Sequence, residues 1–468
     1  MMTSMLTPKP LLTATLLLLT FFSVNAQARV NIVNTGLSFS YDLDDRKNED
    51  KDDDNYQSLA ITPKIHLTST GLKDRFEIRA SPSIKYDIID SETNWDNDLF
   101  LTAERSISKN WRLTATDSLL RTDHYESSTR SDSPTTQEST PELSADFGRA
   151  RYWRNTFNLT SEHLYGQQST LNFGFDYNIL RNDESENKTY TDYDRYTGSI
   201  TNQHRFNQKW RAITTLSVVK GTFDDTSPIT LLTEESPLSD DLMEYRLRLT
   251  GENDFSRQTT VSLSYNYIGT RYDEDLQVDG NVHQAQLRWT HNYSRRTEII
   301  LGAGPSYEKA EGQDSNIGGN GVAQITYKGQ RGSLTFGIEK HYDAENFAGT
   351  EEQGIVDKWE TQLNADYQIL ASLRINGRIR YTYEDRTDTR DTLSDSLAST
   401  APGSDIILEE YHNDIFVSGI GLHYSFLKDY TANLEYTFSK QESDRVSDEY
   451  DDHRILVSIS WAQDIFSW

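Results

Sequence analysis

A strict alternation of apolar and polar residues runs along most of the chain. Within residues 257–272, every second position from 261 to 267 is apolar or aromatic: Val261, Leu263, Tyr265 and Tyr267. The positions between them are small and polar: Ser262, Ser264 and Asn266. A period of two predicts a β-strand with one apolar face and one hydrated face. The alternation recurs in 76–88, 171–179, 359–369 and 373–383, and no segment after residue 28 has a helical period.

The connections between these segments alternate between two kinds. Nine are short enough for hairpin turns: 71–74, 108–110, 165–168, 207–209, 256–258, 294–296, 328–332, 370–372 and 427–429. Ten are longer, polar and acidic, as in 42–55, 122–146, 222–241 and 386–410. Nineteen connections join twenty strands, and the range is 18–22 because 89–95 and 309–318 are short for this class. An even number of antiparallel strands places both termini beside the short turns.

Two all-β folds can use such strands, and they differ in what covers the apolar face. A soluble sandwich or propeller buries that face in a core, whereas a transmembrane barrel turns it toward lipid. The regular sorting of connections into short and long favours the barrel, as do 26 Tyr and 8 Trp. We therefore predict, for residues 29–468, a single transmembrane antiparallel up-and-down β-barrel of about 20 strands. Its short turns would be periplasmic and its long loops extracellular.

The N-terminus predicts export. Lys9 precedes an apolar run at 11–24, and Ala26 and Ala28 follow in an A-x-A arrangement, which is the pattern of a secretory signal peptide. We expect cleavage after Ala28, with Ala26 as the alternative site. A membrane anchor is the competing interpretation, but the run is short for a spanning helix. The chain has no cysteine, which excludes disulfides and lipoprotein attachment.

The charge balance narrows the choice of partners. The chain has 73 acidic and 46 basic residues and a net charge of −27, which argues against nucleic acid. The acids concentrate in the predicted loops, above all in 42–55. Such a run is solvated, binds Ca²⁺, or is bridged by divalent cations to lipopolysaccharide phosphates. The expected partners are outer-membrane lipid and lipopolysaccharide; the oligomeric state is not predicted.

The hydrated faces carry charges of both signs. The basic candidates for the lumen are Arg246, Arg248, Arg288, Arg374, Arg378 and Arg380. They share these faces with Glu77, Asp87, Glu244, Glu339, Glu360, Asp366 and Glu435. One interpretation is that the charges pair across strands and stabilise the wall. The other is that a basic ladder at 374–380 attracts an anionic solute such as an acidic sugar.

No catalytic constellation is recognisable. His412 and His453 lie beside carboxylates on strands predicted to be neighbours, a candidate acid/base pair or cation site. Solvated polar groups at the rim are the favoured interpretation, because no nucleophile accompanies them. We predict no enzyme activity, no catalytic residue, no cofactor and no metal site. We also expect no plug domain, which leaves the long loops as the candidate constriction of a wide lumen.

The C-terminus carries an amphipathic last strand. Ile455, Val457, Ile459 and Trp461 occupy every second position, whereas Phe466 and Trp468 have the opposite phase. We expect a bulge or frayed end near Gln463, because only an irregularity can reconcile the two phases. A final Trp468 resembles the signal read by the barrel assembly machinery of the outer membrane.

Taken with the strand pattern, the chain resembles Gram-negative outer-membrane β-barrels over nearly its whole length after residue 28. It is most similar to the β-barrel porin type 2 group and to barrels associated with exopolysaccharide systems, as in WRLTATDSLLRTDHY at 111–125. The resemblance implies an outer-membrane channel for small polar solutes or a polysaccharide-associated barrel. The alternative is a non-conducting structural or surface-binding barrel that acts through its acidic extracellular loops.

Overall fold

A computed structural model describes residues 29–48, 54–123, 143, 149–182, 190–223, 241–273, 279–310, 315–348, 354–387, 410–445 and 448–467. Within these ranges lie 21 β-strands, and no helix there is long and apolar enough to span a bilayer. The predicted signal peptide, residues 1–28, and Trp468 fall outside the described residues.

The strands follow the segments in which apolar and polar residues alternate. They are β1 (Val30–Asn48), β2 (Asp54–Thr70), β3 (Asp74–Ala80), β4 (Ser83–Asp87), β5 (Thr93–Ser108), β6 (Trp111–Thr122) and β7 (Tyr152–Tyr165). Next come β8 (Ser169–Asn182), β9 (Tyr193–Arg205), β10 (Trp210–Phe223), β11 (Leu242–Asp254), β12 (Thr259–Tyr272), β13 (Gly280–Asn292) and β14 (Thr297–Ala310). The last are β15 (Asn316–Lys328), β16 (Gly332–Ala344), β17 (Ile355–Leu370), β18 (Leu373–Thr387), β19 (Glu410–Phe426), β20 (Tyr430–Ser443) and β21 (Tyr450–Ser467).

The sheet closes into a barrel of 20 strands. Consecutive strands pair antiparallel, and β21 returns to pair with β1 from Asn48↔Tyr450 to Ile32↔Ser467. β3 and β4 both pair with β2 and with β5, so they are two segments of one barrel strand. The break falls at residues 81–82, where Pro82 has no N–H to donate to the ladder. The predicted barrel of about 20 strands is therefore confirmed.

The two ends of the barrel differ as predicted. All nine short connections lie between strands at one end, the turn end, and the long connections lie at the other, the loop end. The turns are held locally: Phe206 N donates to Trp210 O at 3.0 Å, and the Asn207 side chain accepts from Trp210 N, also at 3.0 Å. Such side-chain bonds stabilise a tight reversal.

The outer face of the wall is apolar. On β12, Leu263 is 61% exposed, and equivalent outward positions elsewhere include Phe39, Leu287, Ile420 and Ile459. Exposed aromatic residues border this band at the turn end: Trp111, Phe206, Trp210, Phe255 and Tyr293. A mean hydropathy of −0.71 is compatible with this surface, because only every second strand residue points outward.

The first predicted acidic loop is mostly strand. β1 continues to Asn48 and β2 begins at Asp54, so most of segment 42–55 belongs to the wall. Asp42 and Asp44 are buried, with Leu43 between them on the outward side. The buried carboxylates have cationic partners that are distant in sequence, Arg149 and Arg454, which the local sequence does not reveal.

The wall has an irregularity between β15 and β16. Their pairing stops at Gly321↔Lys340, although both strands continue toward the loop end. There the end of β16 lies against the inside of β13, since Gln284 Nε2 donates to Tyr342 O at 2.9 Å. The hairpin of β16 and β17 therefore leans into the barrel and carries the following residues over the lumen.

The last strand contains the expected irregularity. Asn34 is opposite Asp464, but Val33 is opposite Phe466, so Ile465 is an extra residue in β21. This bulge lies two residues beyond Gln463 and changes the phase of the strand. It explains how outward Trp461 and Phe466 can belong to one strand.

Candidate functional site

The interior of the barrel is the candidate site, and its half nearest the turns is polar and hydrated. Arg374 pairs with Asp366 at 2.7 Å while their side chains remain 61% and 36% exposed. Arg112 pairs with Glu104 at 3.3 Å in a similarly open setting. A 20-stranded barrel is too wide for wall side chains alone to fill. This turn half is therefore an open vestibule lined by charges.

The six arginines predicted for the lumen do not form one group. Arg246 pairs with Glu244 and reaches Asp343 at 3.4 Å, whereas Arg248 donates to Asn266 Oδ1 at 3.0 Å. Arg288 donates twice to Gln286 Oε1, at 3.2 and 3.0 Å.

The other three arginines lie on β18. Arg374 pairs with Asp366, Arg378 lies 3.7 Å from Glu435, and Arg380 is opposite Gln362 in the ladder. Outward Ile379, between Arg378 and Arg380, is 44% exposed, which fits inward placement of its neighbours. Their role in solute passage stays a prediction.

A segment at 345–348, here called the crossing segment, spans the lumen in the half nearest the loops. At one end Glu345 pairs with Lys358 on β17 and Arg386 on β18. Both cations also hold Glu384, at 3.0 and 2.6 Å. This cluster of four charged groups is largely buried, with the Glu384 side chain only 5% exposed.

The other end of the crossing segment reaches the opposite wall. Asn346 Nδ2 donates to Glu244 Oε2 on β11 at 2.9 Å, and Asn346 Oδ1 accepts from Tyr272 OH at 3.2 Å. The ring of Phe347 lies 5.3 Å from that of Tyr193 on β9 and 5.5 Å from that of Phe223 on β10. Because β9–β12 lie far around the barrel from β17 and β18, these contacts bridge the lumen.

Arg149, just before β7, ties a second inward part of the chain to the wall. Its guanidinium lies 3.1 Å from Asp42 and 2.8 Å from Asp44, both on β1, and over the ring of Tyr56 on β2. It also lies 3.6 Å from Asp123, which with Asp96 holds Lys85. These groups are nearly all buried, so their charges stabilise one another in place of water.

An apolar cluster fills the space between these anchors. Its buried members are Leu143, Ala150, Tyr152, Leu180, Tyr190, Tyr193, Val219, Leu242 and Phe347. Tyr193 OH donates to Asn178 Oδ1 at 3.0 Å, which satisfies a polar group inside the cluster. The loop half therefore has a packed interior, in contrast to the turn half.

Sequence patterns did not identify Arg149 or the crossing segment. Both lie in connections, where no periodicity indicates which way a residue points. One signal was available: Phe347 is a large apolar residue in a polar connection, and Arg149 follows a long acidic stretch. Single residues of this kind indicate inward contacts but do not give their partners.

The candidate histidine pair is wrong. The two histidines are not on neighbouring strands, because β20 lies between β19 and β21. They are also at different heights: across β20, His453 is level with Ser418, which is six residues from His412 on β19. His412 Nδ1 lies 3.4 Å from Asp385, whereas His453 Nδ1 bonds Tyr436 OH at 2.9 Å. No cluster of His, Asp or Glu in the described ranges could hold a metal ion.

Comparison with known proteins supports the fold. No family model and no curated protein matches the sequence. The Pseudomonas aeruginosa siderophore receptor PirA is 10% identical with a TM-score of 0.51, covering 94% of this chain and 81% of that one. A ferric enterobactin receptor (PfeA) from the same organism is 9% identical with a TM-score of 0.51, covering 92% and 80%. OccK2 (OpdF) in complex with glucuronate gives 12% identity and a TM-score of 0.43, covering 93% and 98%.

At these identities the likeness concerns the fold alone. The closed antiparallel wall, its apolar outer band and its polar interior are the properties that a strand-built protein needs in a bilayer. The chain is therefore an integral outer-membrane β-barrel. Its turn end is periplasmic and its loop end extracellular, as short turns and long loops are distributed in this class.

Proposed function

We propose that this barrel is a channel for small polar solutes, and that the loop half contains the constriction that limits their passage. The observation that carries the proposal is the crossing segment, which bridges β17 and β18 to β9–β12 inside the lumen. A purely structural barrel has no need of a segment that crosses its lumen in one half only, as the crossing segment does in the loop half. A selective channel needs such a segment, because a wide lumen without a constriction does not discriminate between solutes.

The lining of the vestibule supports passage of hydrated solutes. Its charged side chains form exposed pairs such as Arg374–Asp366, so water and small polar molecules can exchange with them. Arg288 has an amide oxygen as its partner, which orients the guanidinium without neutralising it. The inner wall therefore favours anionic groups at this height, whereas the acidic outer loops disfavour them at the mouth.

We propose further that acidic saccharides are among the solutes, which would associate the barrel with a polysaccharide system. The basis is the set of inward arginines on β11, β13 and β18, because guanidinium groups bind carboxylates in a bidentate manner. The test is block of the channel current by a uronic-acid oligosaccharide, compared with a neutral oligosaccharide of equal length. Equal block by both would contradict a preference for acidic sugars.

Single-channel conductance in planar bilayers tests the channel itself. We expect a stable conductance for the native barrel and a larger one for a double variant, Asn346→Ala with Phe347→Ala, which loses the contacts to β9–β12. The matched control is Phe336→Ala, which removes an aromatic ring of equal size from the outward face of β16. We expect the control to conduct like the native barrel.

The alternative function, a non-conducting barrel that acts through its extracellular loops, draws on the dense packing of the loop half. It predicts that the same experiment gives no single-channel conductance. Folded protein that inserts into the bilayer but gives no conductance, with or without the double substitution, would overturn the channel and leave the loop-acting barrel.

A further inference from the structure

On three strands, the series of outward-facing residues ends in an exposed cation at the loop end. On β10 the outward residues Leu216 and Val218 are followed by Lys220. On β12 the outward run that includes Leu263 ends in Arg271, and on β14 the run with Leu301 and Tyr307 ends in Lys309. All three cations are exposed. They lie where the apolar band stops.

The three cations form one patch. Lys220 is opposite Met243, and Met243 is opposite Arg271, so the two cations occupy one row, two strands and about 10 Å apart. Lys309 is opposite Asn281, and Asn281 is opposite Gly269, two residues from Arg271. The patch thus crosses five strands, a width of about 20 Å.

Three other outward cations at this end have acidic partners on the wall. Arg181 pairs with Asp194 at 2.7 Å, Lys340 with Asp357 at 2.9 Å, and Lys440 with Glu442 at 2.7 Å. No carboxylate in the described part of the chain forms an ion pair with the three patch cations. The side chain of the nearby Asp279 accepts a hydrogen bond from Tyr272 N instead. In a chain of net charge −27, such a cluster is unusual.

The height of the patch matches the phosphates of the outer leaflet. Ten residues separate Lys220 from Trp210 at the turn end, which for a tilted strand is a rise of about 25 Å. That is about the height of the apolar band of an outer-membrane barrel. Acyl chains would lie against the apolar residues below the cations, with their phosphate groups level with Lys220, Arg271 and Lys309.

We propose that Lys220, Arg271 and Lys309 form a binding site for a phosphorylated glycolipid of the outer leaflet. Phosphate groups would take the charge-assisted hydrogen bonds, and Arg271 can donate two in parallel. The site differs from a divalent-cation bridge to the acidic loops, because it needs no metal. It is independent of whether the barrel conducts.

Binding of bisphosphorylated lipid A to the purified, folded barrel tests the site. The titration is run in detergent with EDTA and read by native mass spectrometry, with the same lipid stripped of its phosphates as a second ligand. The test variant is the triple K220Q, R271Q and K309Q, and the matched control is the triple R181Q, K340Q and K440Q. Heat-modifiable gel mobility reports folding of both.

We expect the test variant to bind on the order of 10- to 100-fold more weakly than the native barrel, since each interfacial cation contributes appreciably. The control should stay within about threefold, because its cations are already paired. Native binding should weaken with added salt. Equal affinity of the test variant and the native barrel, or equal binding of the dephosphorylated lipid, would overturn the proposal, as would native binding that appears only when divalent cations are restored.

Discussion

The two halves of the barrel interior are made from the same kinds of residue but behave differently. In the turn half, Arg374 and Asp366 pair on the open wall and stay exposed to water. In the loop half, Arg386 and Glu384 form an equally close pair, but their side chains are only 14% and 5% exposed. The difference lies in what covers them, since Glu345 of the crossing segment lies over the second pair.

The comparison shows how a wide barrel acquires a core. Wall side chains cannot meet across a 20-stranded lumen, so the interior stays wet wherever only the wall contributes. Where Arg149 and the crossing segment enter, buried ion pairs and aromatic contacts become possible. The residues that stabilise the loop half are therefore the same few that would form the constriction of the proposed channel, whereas the turn half is free to be a vestibule.

The largest effect on stability is expected from the buried cluster. Glu384→Gln removes one carboxylate and leaves Lys358 and Arg386 with less compensation, at a cost of about 3–5 kcal/mol. Chemical denaturation of the barrel in lipid vesicles measures this difference. A change below about 1 kcal/mol would mean that water already reaches the cluster.

A smaller effect is expected within the apolar cluster. Tyr193→Phe keeps the ring that packs on Phe347 but removes the hydroxyl that donates to Asn178. The loss should be about 1 kcal/mol, because the buried hydrogen bond to Asn178 is removed and Arg154 Nη2, which donates to this hydroxyl at 3.3 Å, loses this acceptor. Tyr196→Phe, on the outward face of the same strand, is the control, and denaturation midpoints of the two variants give the comparison.

The smallest effect is expected in the turn half. Asp366→Asn breaks the exposed pair with Arg374 at a cost of about 0–1 kcal/mol. The ratio of anion to cation permeability should rise instead, because a negative charge has left the vestibule wall. Reversal potentials under a salt gradient measure this permeability ratio. An unchanged ratio together with a large loss of stability would contradict the description of the turn half as the open, hydrated half.

The wall could be predicted from the sequence because each strand carries its own information. Val261, Leu263 and Tyr265 alternate with polar residues whatever the partner strands are, so strand positions, facing and the nine turns follow locally. The bulge at Ile465 was anticipated for the same reason, since two apolar runs of opposite phase require it.

The packed interior could not be predicted, because its contacts join residues far apart in sequence. Asn346 and Glu244 are separated by 102 positions, and Arg149 and Asp42 by 107. The departure of β16 from β15, which directs the crossing segment inward, also depends on contacts such as Gln284 with Tyr342. Inward arginines were identifiable as a class, but their partners depend on strand register and on these connections.

Cysteine accessibility on a single strand tests the contrast between the two halves most directly. The chain has no native cysteine, and β18 carries inward Arg374 in the turn half and buried Thr382 in the loop half. Single variants Arg374→Cys and Thr382→Cys are reconstituted in vesicles and exposed to a membrane-impermeant cationic thiol reagent. We predict that Arg374→Cys reacts at nearly the rate of a free thiol and Thr382→Cys at least about 100-fold more slowly, because modification there requires local opening. Equal rates at the two positions would contradict a packed loop half above an open vestibule.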